Sequence, residues 1–333
     1  MKIAYLGAGA WGFCLARLLA QKGHQVCSWT KEEDVLAQLI QTKEHPFLKG
    51  RIAHEAMRFT KNLEEALEGA ELIVESVTSA GVRPVSELVK ALGIPENIPF
   101  VVTSKGIEQK SGLTLPDVVC QVLGEARRSK VAMLSGPSFA EEVSLGLPAS
   151  VVCGSTSLET AMLVADAFKT DFFRVYPNKD IQGVCYGGAL KNVIAIACGI
   201  SDGMQLGTGA KAALMTRGLH EMVRLARLKG CNPETLYGLS GMGDLFLTCS
   251  SSTSRNWRFG ELLAKGSSID DAKKNIHMVV EGAYTASSCV RLASQLAISM
   301  PISEMVLAII EGTVQPREAV RHLMQRAIKE EIL

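Results

Sequence analysis

The segment Gly7-Ala8-Gly9-Ala10-Trp11-Gly12 follows the apolar run Lys2–Leu6 and opens the apolar-faced stretch Trp11–Lys22. Three glycines at that spacing, set between a strand and a helix, leave few folds open. The first permits a tight turn, the second lets a pyrophosphate approach the backbone, and the third lets helix and strand pack closely. The helix then points unpaired N–H groups at the turn, where they attract phosphate. The pattern predicts the first strand–turn–helix of a doubly wound α/β sheet with a dinucleotide at its glycines: Gly7, Gly9 and Gly12, with Ala10 and Trp11 between them.

The chain that follows supports this. Short apolar runs at Gln25–Trp29, Leu72–Val77, Phe100–Ser104, Val131–Ser135, Ser150–Cys153 and Phe172–Tyr176 alternate with amphipathic stretches such as Leu63–Leu67. Such alternation predicts a mostly parallel sheet with helices on both faces. From about Ile181 strand signals stop. Helices are expected at Gly188–Ile200, Ala210–Lys229, Tyr284–Leu296, Ser303–Glu311 and Pro316–Lys329, with Asn232-Pro233 and Met300-Pro301 as breakers. The expected division is a Rossmann-type dinucleotide domain over residues 1–182 and an all-helical substrate and catalytic domain over 183–333. A chain of 333 residues is long enough for both.

Composition excludes some classes of function. With a formal net charge of +1, the chain has no basic field to attract nucleic acid or anionic lipid. An anionic ligand therefore needs a local site. The nine cysteines are odd in number, form no Cys-x-x-Cys pair and sit mostly in apolar stretches, as in a reduced chain with small apolar fillers. No His-x-x-x-His pair occurs among the six histidines, so no metal site is expected. No leader pattern and no apolar run of about 20 residues is visible, which predicts a cytoplasmic protein without an integral membrane segment.

One residue breaks its context. Lys191 lies in Gly187-Gly188-Ala189-Leu190-Lys191-Asn192-Val193-Ile194-Ala195-Ile196-Ala197, a run that otherwise reads as a buried helix. An ammonium there needs a counter-charge or a task. Asp244, in Gly241-Met242-Gly243-Asp244-Leu245, either caps a helix, or orients Lys191, or does both. Lys105, at a strand tip and followed by Gly106, is a candidate for polarising a carbonyl. Gly136 and Ser138 follow the next strand and offer donors from a turn. Ser254-Arg255-Asn256 combines a guanidinium fork with neutral donors, a compact set for binding an anion. A flexible serine loop with a solvated arginine is the plainer alternative.

The tip of the second strand reads Ser28-Trp29-Thr30-Lys31-Glu32-Glu33. An acid at such a tip holds a ribose 2′-hydroxyl, whereas a cation suits a 2′-phosphate. Lys31 is the first charge here, which leans toward NADPH over NADH. Glu32 and Glu33 follow closely, and a solvated Lys31 at a helix start is the alternative.

Taken together, the glycine turn, Ser104-Lys105-Gly106, Ser135-Gly136-Pro137-Ser138-Phe139-Ala140, the Lys191 run, Gly241–Leu245 with Thr248-Cys249, Ser254-Arg255-Asn256 and Val280-Glu281-Gly282-Ala283 resemble NAD(P)-dependent glycerol-3-phosphate dehydrogenases of the bacterial type. The resemblance implies a homodimeric oxidoreductase that interconverts dihydroxyacetone phosphate and sn-glycerol 3-phosphate, supplying phospholipid synthesis. It implies that Lys191 exchanges the proton, with Lys105 and Asp244 beside it. It further implies that Lys105, Gly136, Ser138, Lys191, Asp244, Ser254, Arg255 and Asn256 contact the small phosphorylated three-carbon substrate. Trp11, Lys31, Lys105, Ala140, Arg255, Val279 and Glu281 would line the dinucleotide. The chain departs from the family pattern at Thr78, Cys185 and Gly207–Lys211, which bears on local loops. Two rivals share part of the pattern. A 3-hydroxyacid or 6-phosphogluconate-type dehydrogenase typically spaces its lysine and asparagine as Lys-x-x-x-Asn, unlike the adjacent Lys191 and Asn192. A non-catalytic nicotinamide sensor would need no lysine–aspartate–arginine set.

Overall fold

The computed structural model describes all residues except 277, 278, 329, 332 and 333. The chain forms two compact units, one of residues 1–104 and 115–184, the other of residues 105–114 and 185–333.

The first unit runs β1 (Lys2–Leu6), α1 (Ala10–Gln21), β2 (Gln25–Trp29), α2 (Glu33–Thr42), β3 (Met57–Thr60), α3 (Leu63–Leu67), β4 (Leu72–Glu75), α4 (Val82–Ala91), β5 (Phe100–Val102), α5 (Leu115–Leu123), β6 (Val131–Ser135), α6 (Ala140–Ser144), β7 (Ala149–Ser155), α7 (Leu158–Phe168) and β8 (Phe173–Asn178). Among the described residues these strands make one sheet in the order β3-β2-β1-β4-β5-β6-β7-β8. Pairing is parallel throughout except between β6 and β7. The chain reverses direction across the sheet between β1 and β4. Open α/β sheets bind ligands at the carboxyl ends of strands flanking such a point. The central strands are apolar on both faces, with Ile3, Tyr5, Leu72, Val74 and Val101 buried on one and Ala4, Leu6, Ile73, Phe100 and Val102 on the other, as a sheet covered on both sides requires.

Local chemistry sets the element ends. Asn62 caps α3 by accepting from the Glu64 N–H at 3.0 Å, and Ser157 caps α7 by accepting from the Thr160 N–H at 3.3 Å. β4 stops at Glu75, two residues before the expected end. The Glu75 carboxylate accepts the Val77 N–H at 2.6 Å and closes a turn there. β5 stops at Val102, and just beyond it both the N–H and the hydroxyl of Thr103 donate to the Glu75 carbonyl, at 2.9 and 2.8 Å. The sequence pattern missed β3, whose Met57-Arg58-Phe59-Thr60 is a short, half-exposed edge strand.

The second unit is helical, and among the described residues no strand follows β8. Its helices are α8 (Ile181–Gly203), which enters from the first unit, α9 (Thr208–Leu228), α10 (Pro233–Tyr237), α11 (Asp244–Ser250), α12 (Arg255–Ala264), α13 (Ile269–Ile276), α14 (Glu281–Gln295), α15 (Pro301–Ile310) and α16 (Pro316–Met324). The expected last helix reached Lys329, which lies outside the described residues; α16 ends at Met324. All nine cysteines are buried and free of disulfides.

The central helix α8 is buried on all sides and is long and apolar enough to cross a membrane by length and composition. The outer helices pack on it at small residues. A β-carbon added at Gly199 would overlap the Trp257 carbonyl oxygen of α12. That oxygen is backbone, so relief requires α12 to move. Gly199→Ala is therefore expected to cost about 3 kcal/mol through overpacking. The measure is a lower denaturant midpoint at unchanged slope; a parental midpoint would show that α12 gives way freely.

Candidate active site

Lys191 lies on α8 and is 6% exposed, with no charged neighbour on its own turn. Its counter-charge comes from α11. Gly187, one turn earlier on the same face of α8, makes this possible, because a β-carbon there would sit 2.6 Å from the Ser240 carbonyl oxygen. The close approach brings in a π-helical turn, Leu239–Gly243, which runs directly into α11. Ser240 and Asp244 are themselves one turn apart. The backbone contact at Gly187 thus delivers the Asp244 carboxylate to the Lys191 ammonium.

Asp244 does not cap α11, as one sequence reading allowed. Gly243 occupies the cap position and Asp244 is the first helical residue. Its carboxylate is divided between two lysines: Oδ1 accepts from Lys191 Nζ, and Oδ2 accepts from Lys105 Nζ at 2.5 Å. Lys191 also donates to Thr248 Oγ1 at 2.7 Å, and that hydroxyl donates to the Asp244 carbonyl at 2.6 Å. Thr248 stands four residues after Asp244 on one face of α11.

Two ammonium groups thus share one buried carboxylate. Burial pushes the Lys191 pKa down from its ordinary value, Asp244 opposes that shift, and the Lys105 cation adds to it, leaving Lys191 at about 8. The sequence left this direction open. The geometry settles it because desolvation outweighs the ion pair.

The anion-binding candidates stand at the start of α12. Ser254 is its cap: Oγ accepts the Trp257 N–H at 3.3 Å, leaving the hydroxyl proton to donate elsewhere. Asn256 is buried. It donates from Nδ2 to Asn192 Oδ1 at 2.9 Å and accepts the Gly282 N–H at 2.9 Å. One amide hydrogen remains beyond that bond. Asn192, next to Lys191, had no assigned role in the sequence reading. Arg255 is exposed at the surface and donates from Nη1 to the Val279 carbonyl at 3.2 Å. Glu281, the first residue of α14, is close enough to act electrostatically on Arg255.

The remaining candidates belong to the first unit. Gly7 has φ of 110°, and a β-carbon there would lie 2.7 Å from the Ser76 carbonyl oxygen. A β-carbon at Gly12 would overlap the Gly7 carbonyl oxygen, whereas one at Gly9 meets nothing within 4 Å. Two glycines are thus demanded by packing and the middle one faces open space. Gly9 is the N-cap of α1 and no side chain caps the helix. Ala10 and Trp11 open α1. An uncapped helix start beside an open glycine fits a dinucleotide pyrophosphate. At the tip of β2, the Lys31 ammonium stands 5.7 Å from the Trp29 ring centroid. Gly136 and Ser138 follow β6, with Ser138 Oγ donating to the Gly136 carbonyl at 3.1 Å, and Ala140 begins α6.

The chain is similar to known proteins. Residues 2–161 match the N-terminal family model of NAD-dependent glycerol-3-phosphate dehydrogenase, and residues 180–321 match its C-terminal model. A glycerol-3-phosphate dehydrogenase [NAD(P)+] from Protochlamydia amoebophila is 57% identical over 332 residues, covering 100% of this chain and 99% of the relative. One from Chlamydia abortus is 49% identical over the same coverage. The crystal structure of the Coxiella burnetii glycerol-3-phosphate dehydrogenase superposes with a TM-score of 0.92 at 38% identity, covering 97% of this chain and 98% of that one. The chain belongs to the NAD-dependent glycerol-3-phosphate dehydrogenase family.

Proposed function

We propose that this protein interconverts dihydroxyacetone phosphate and sn-glycerol 3-phosphate using NADPH or NADH, with Lys191 as the proton-exchanging group. The observation that carries the reading is the buried Lys191–Asp244–Lys105 set, in which one lysine is held near a pKa of 8. The reduced nicotinamide, when bound, supplies the hydride.

Lys191 has three N–H bonds, of which Asp244 and Thr248 take two. The third is free to point at a substrate oxygen and deliver a proton as a carbonyl becomes an alcohol. Asp244 fixes the direction of that bond. Lys105 adds positive charge to a buried site, where developing alkoxide charge is stabilised more strongly than in water. Arg255, Asn256 and Ser254 would hold the substrate phosphate, whose binding energy then orients the reacting carbon. Gly136 and Ser138 would donate to the same substrate, and Trp11, Lys31, Ala140, Val279 and Glu281 would contact the dinucleotide. Lys31 at the tip of β2, with no acid there, supports a preference for NADPH. From the family resemblance we also infer a cytoplasmic homodimer that feeds phospholipid synthesis.

Four outcomes are expected. Lys191→Ala should lower kcat by about 10³-fold, the range of a lost general acid, while dinucleotide binding survives; near-parental turnover would remove Lys191 from the chemistry. Reduction requires the protonated ammonium, so its kcat should fall as pH rises through about 8, and oxidation, which requires the neutral amine, should rise through the same value. Lys105→Met removes a cation that lowers the Lys191 pKa, so both limbs should move to higher pH; limbs that stay in place would mean another group titrates. Arg255→Ala should raise KM for dihydroxyacetone phosphate about ten- to hundredfold, the range for a lost charged hydrogen bond. An unchanged KM would contradict the phosphate role.

A further inference from the structure

The turn that meets the pyrophosphate has a mechanical weakness. Ala8 lies between two glycines, and the peptide linking Ala8 to Gly9 turns at one end on a glycine, the most permissive residue. Such a peptide rotates cheaply. In a planar trans peptide the carbonyl and the following N–H point in opposite directions, so whatever fixes the Ala8 oxygen also aims the Gly9 N–H.

The Ala8 oxygen is fixed by a side chain from a distant loop. His45 Nε2 donates to it at 2.9 Å. The other ring nitrogen, Nδ1, accepts the Phe47 N–H at 3.2 Å. A carbonyl can only accept and an amide N–H can only donate, so the ring is the neutral Nε2–H tautomer. His45 is fully buried, and burial pushes its pKa below the ordinary value, which keeps the ring neutral. Its face rests on Phe13 of α1, centroid to centroid 5.0 Å.

The loop that presents His45 is itself braced. Glu44 and Ile52 form an antiparallel bridge across it, and Glu44 accepts the Gly50 N–H. Arg17 of α1 donates from Nε to the Ile52 carbonyl at 2.9 Å. The bracing leads from α1 through the loop to one nitrogen of one imidazole, and from there to the middle of the glycine turn.

We infer that His45 is a positioning residue for the dinucleotide: it locks the Ala8–Gly9 peptide so that the Gly9 N–H faces the pyrophosphate. The inference rests on the reading of Gly7–Gly12 as the pyrophosphate site. It concerns cofactor binding and leaves the proton chemistry at Lys191 untouched.

The test compares His45→Phe, which keeps a ring against Phe13 but loses both hydrogen bonds, with His45→Gln, which keeps an N–H of similar reach. Dinucleotide affinity is read by nicotinamide fluorescence, alongside steady-state kinetics. His45→Phe should weaken NADPH and NADH binding about tenfold, the value of one well-placed hydrogen bond, and raise their KM alike, with kcat and the KM for dihydroxyacetone phosphate changed less than about twofold. His45→Gln should recover most of the affinity. Parental dinucleotide affinity in a folded His45→Phe protein would overturn the inference, as would an equal fall in every kinetic parameter. Should His45→Phe not fold, ¹⁵N shifts of the histidines in the parental protein decide: a protonated ring or the Nδ1–H tautomer at His45 overturns it. Gly9→Ala separates the two levels. Its added methyl meets no protein atom, so the fold should hold while dinucleotide binding is lost. If Gly9→Ala binds like the parent, the pyrophosphate reading of the turn fails and takes the inference with it. If Gly9→Ala loses binding and His45→Phe does not, only the inference fails.

Discussion

One carboxylate, Asp244, holds this site together. It is 1% exposed and lies between two ammonium groups. Without it, the buried Lys191 ammonium would lose its carboxylate while the Lys105 cation stood nearby. An unpaired buried charge is among the most costly defects a fold can carry. The close approach at Gly187, the π-helical turn before α11 and the short segment 105–114 can all be read as means of bringing three side chains to one place.

The balance within that set also decides how acidic Lys191 is. A lone buried lysine would lose its proton too readily, and one paired in water would hold it too tightly. Desolvation pulls the Lys191 pKa down most strongly, Asp244 opposes it, and Lys105 adds to the fall, so that the value rests near 8. A proton exchanger is most effective when its pKa lies close to the working pH. Packing and charge thus fix a chemical property that no single residue carries.

Much of this was legible in the sequence because it violated local expectation. An ammonium in an apolar helix and three glycines after a strand are anomalies that ordinary packing does not explain, and both mark real features of the structure. Where a residue obeyed a local rule, its role was hidden. Asp244 after a glycine looked like a helix cap, and only the long-range contact of Gly187 with Ser240 distinguishes a cap from a counter-charge. Ser254 looked like a phosphate ligand, and in the structure its hydroxyl caps α12. β3 escaped notice because half of its short span faces solvent. His45 left no signal, since its partners are a backbone oxygen 37 residues away and a backbone N–H two residues on, and neither depends on a recognisable motif.

The burial of α8 bears on how the chain reaches this state. Its 23 residues emerge during synthesis well before the helices that cover them, and until those arrive a greasy rod long enough to span a bilayer is exposed to the surroundings. A chain cut short after α8 would thus be a hazard rather than a harmless fragment, prone to self-association or to capture by chaperones. The helices after α8 serve as its shield as much as they serve as scaffold for Asp244 and Arg255.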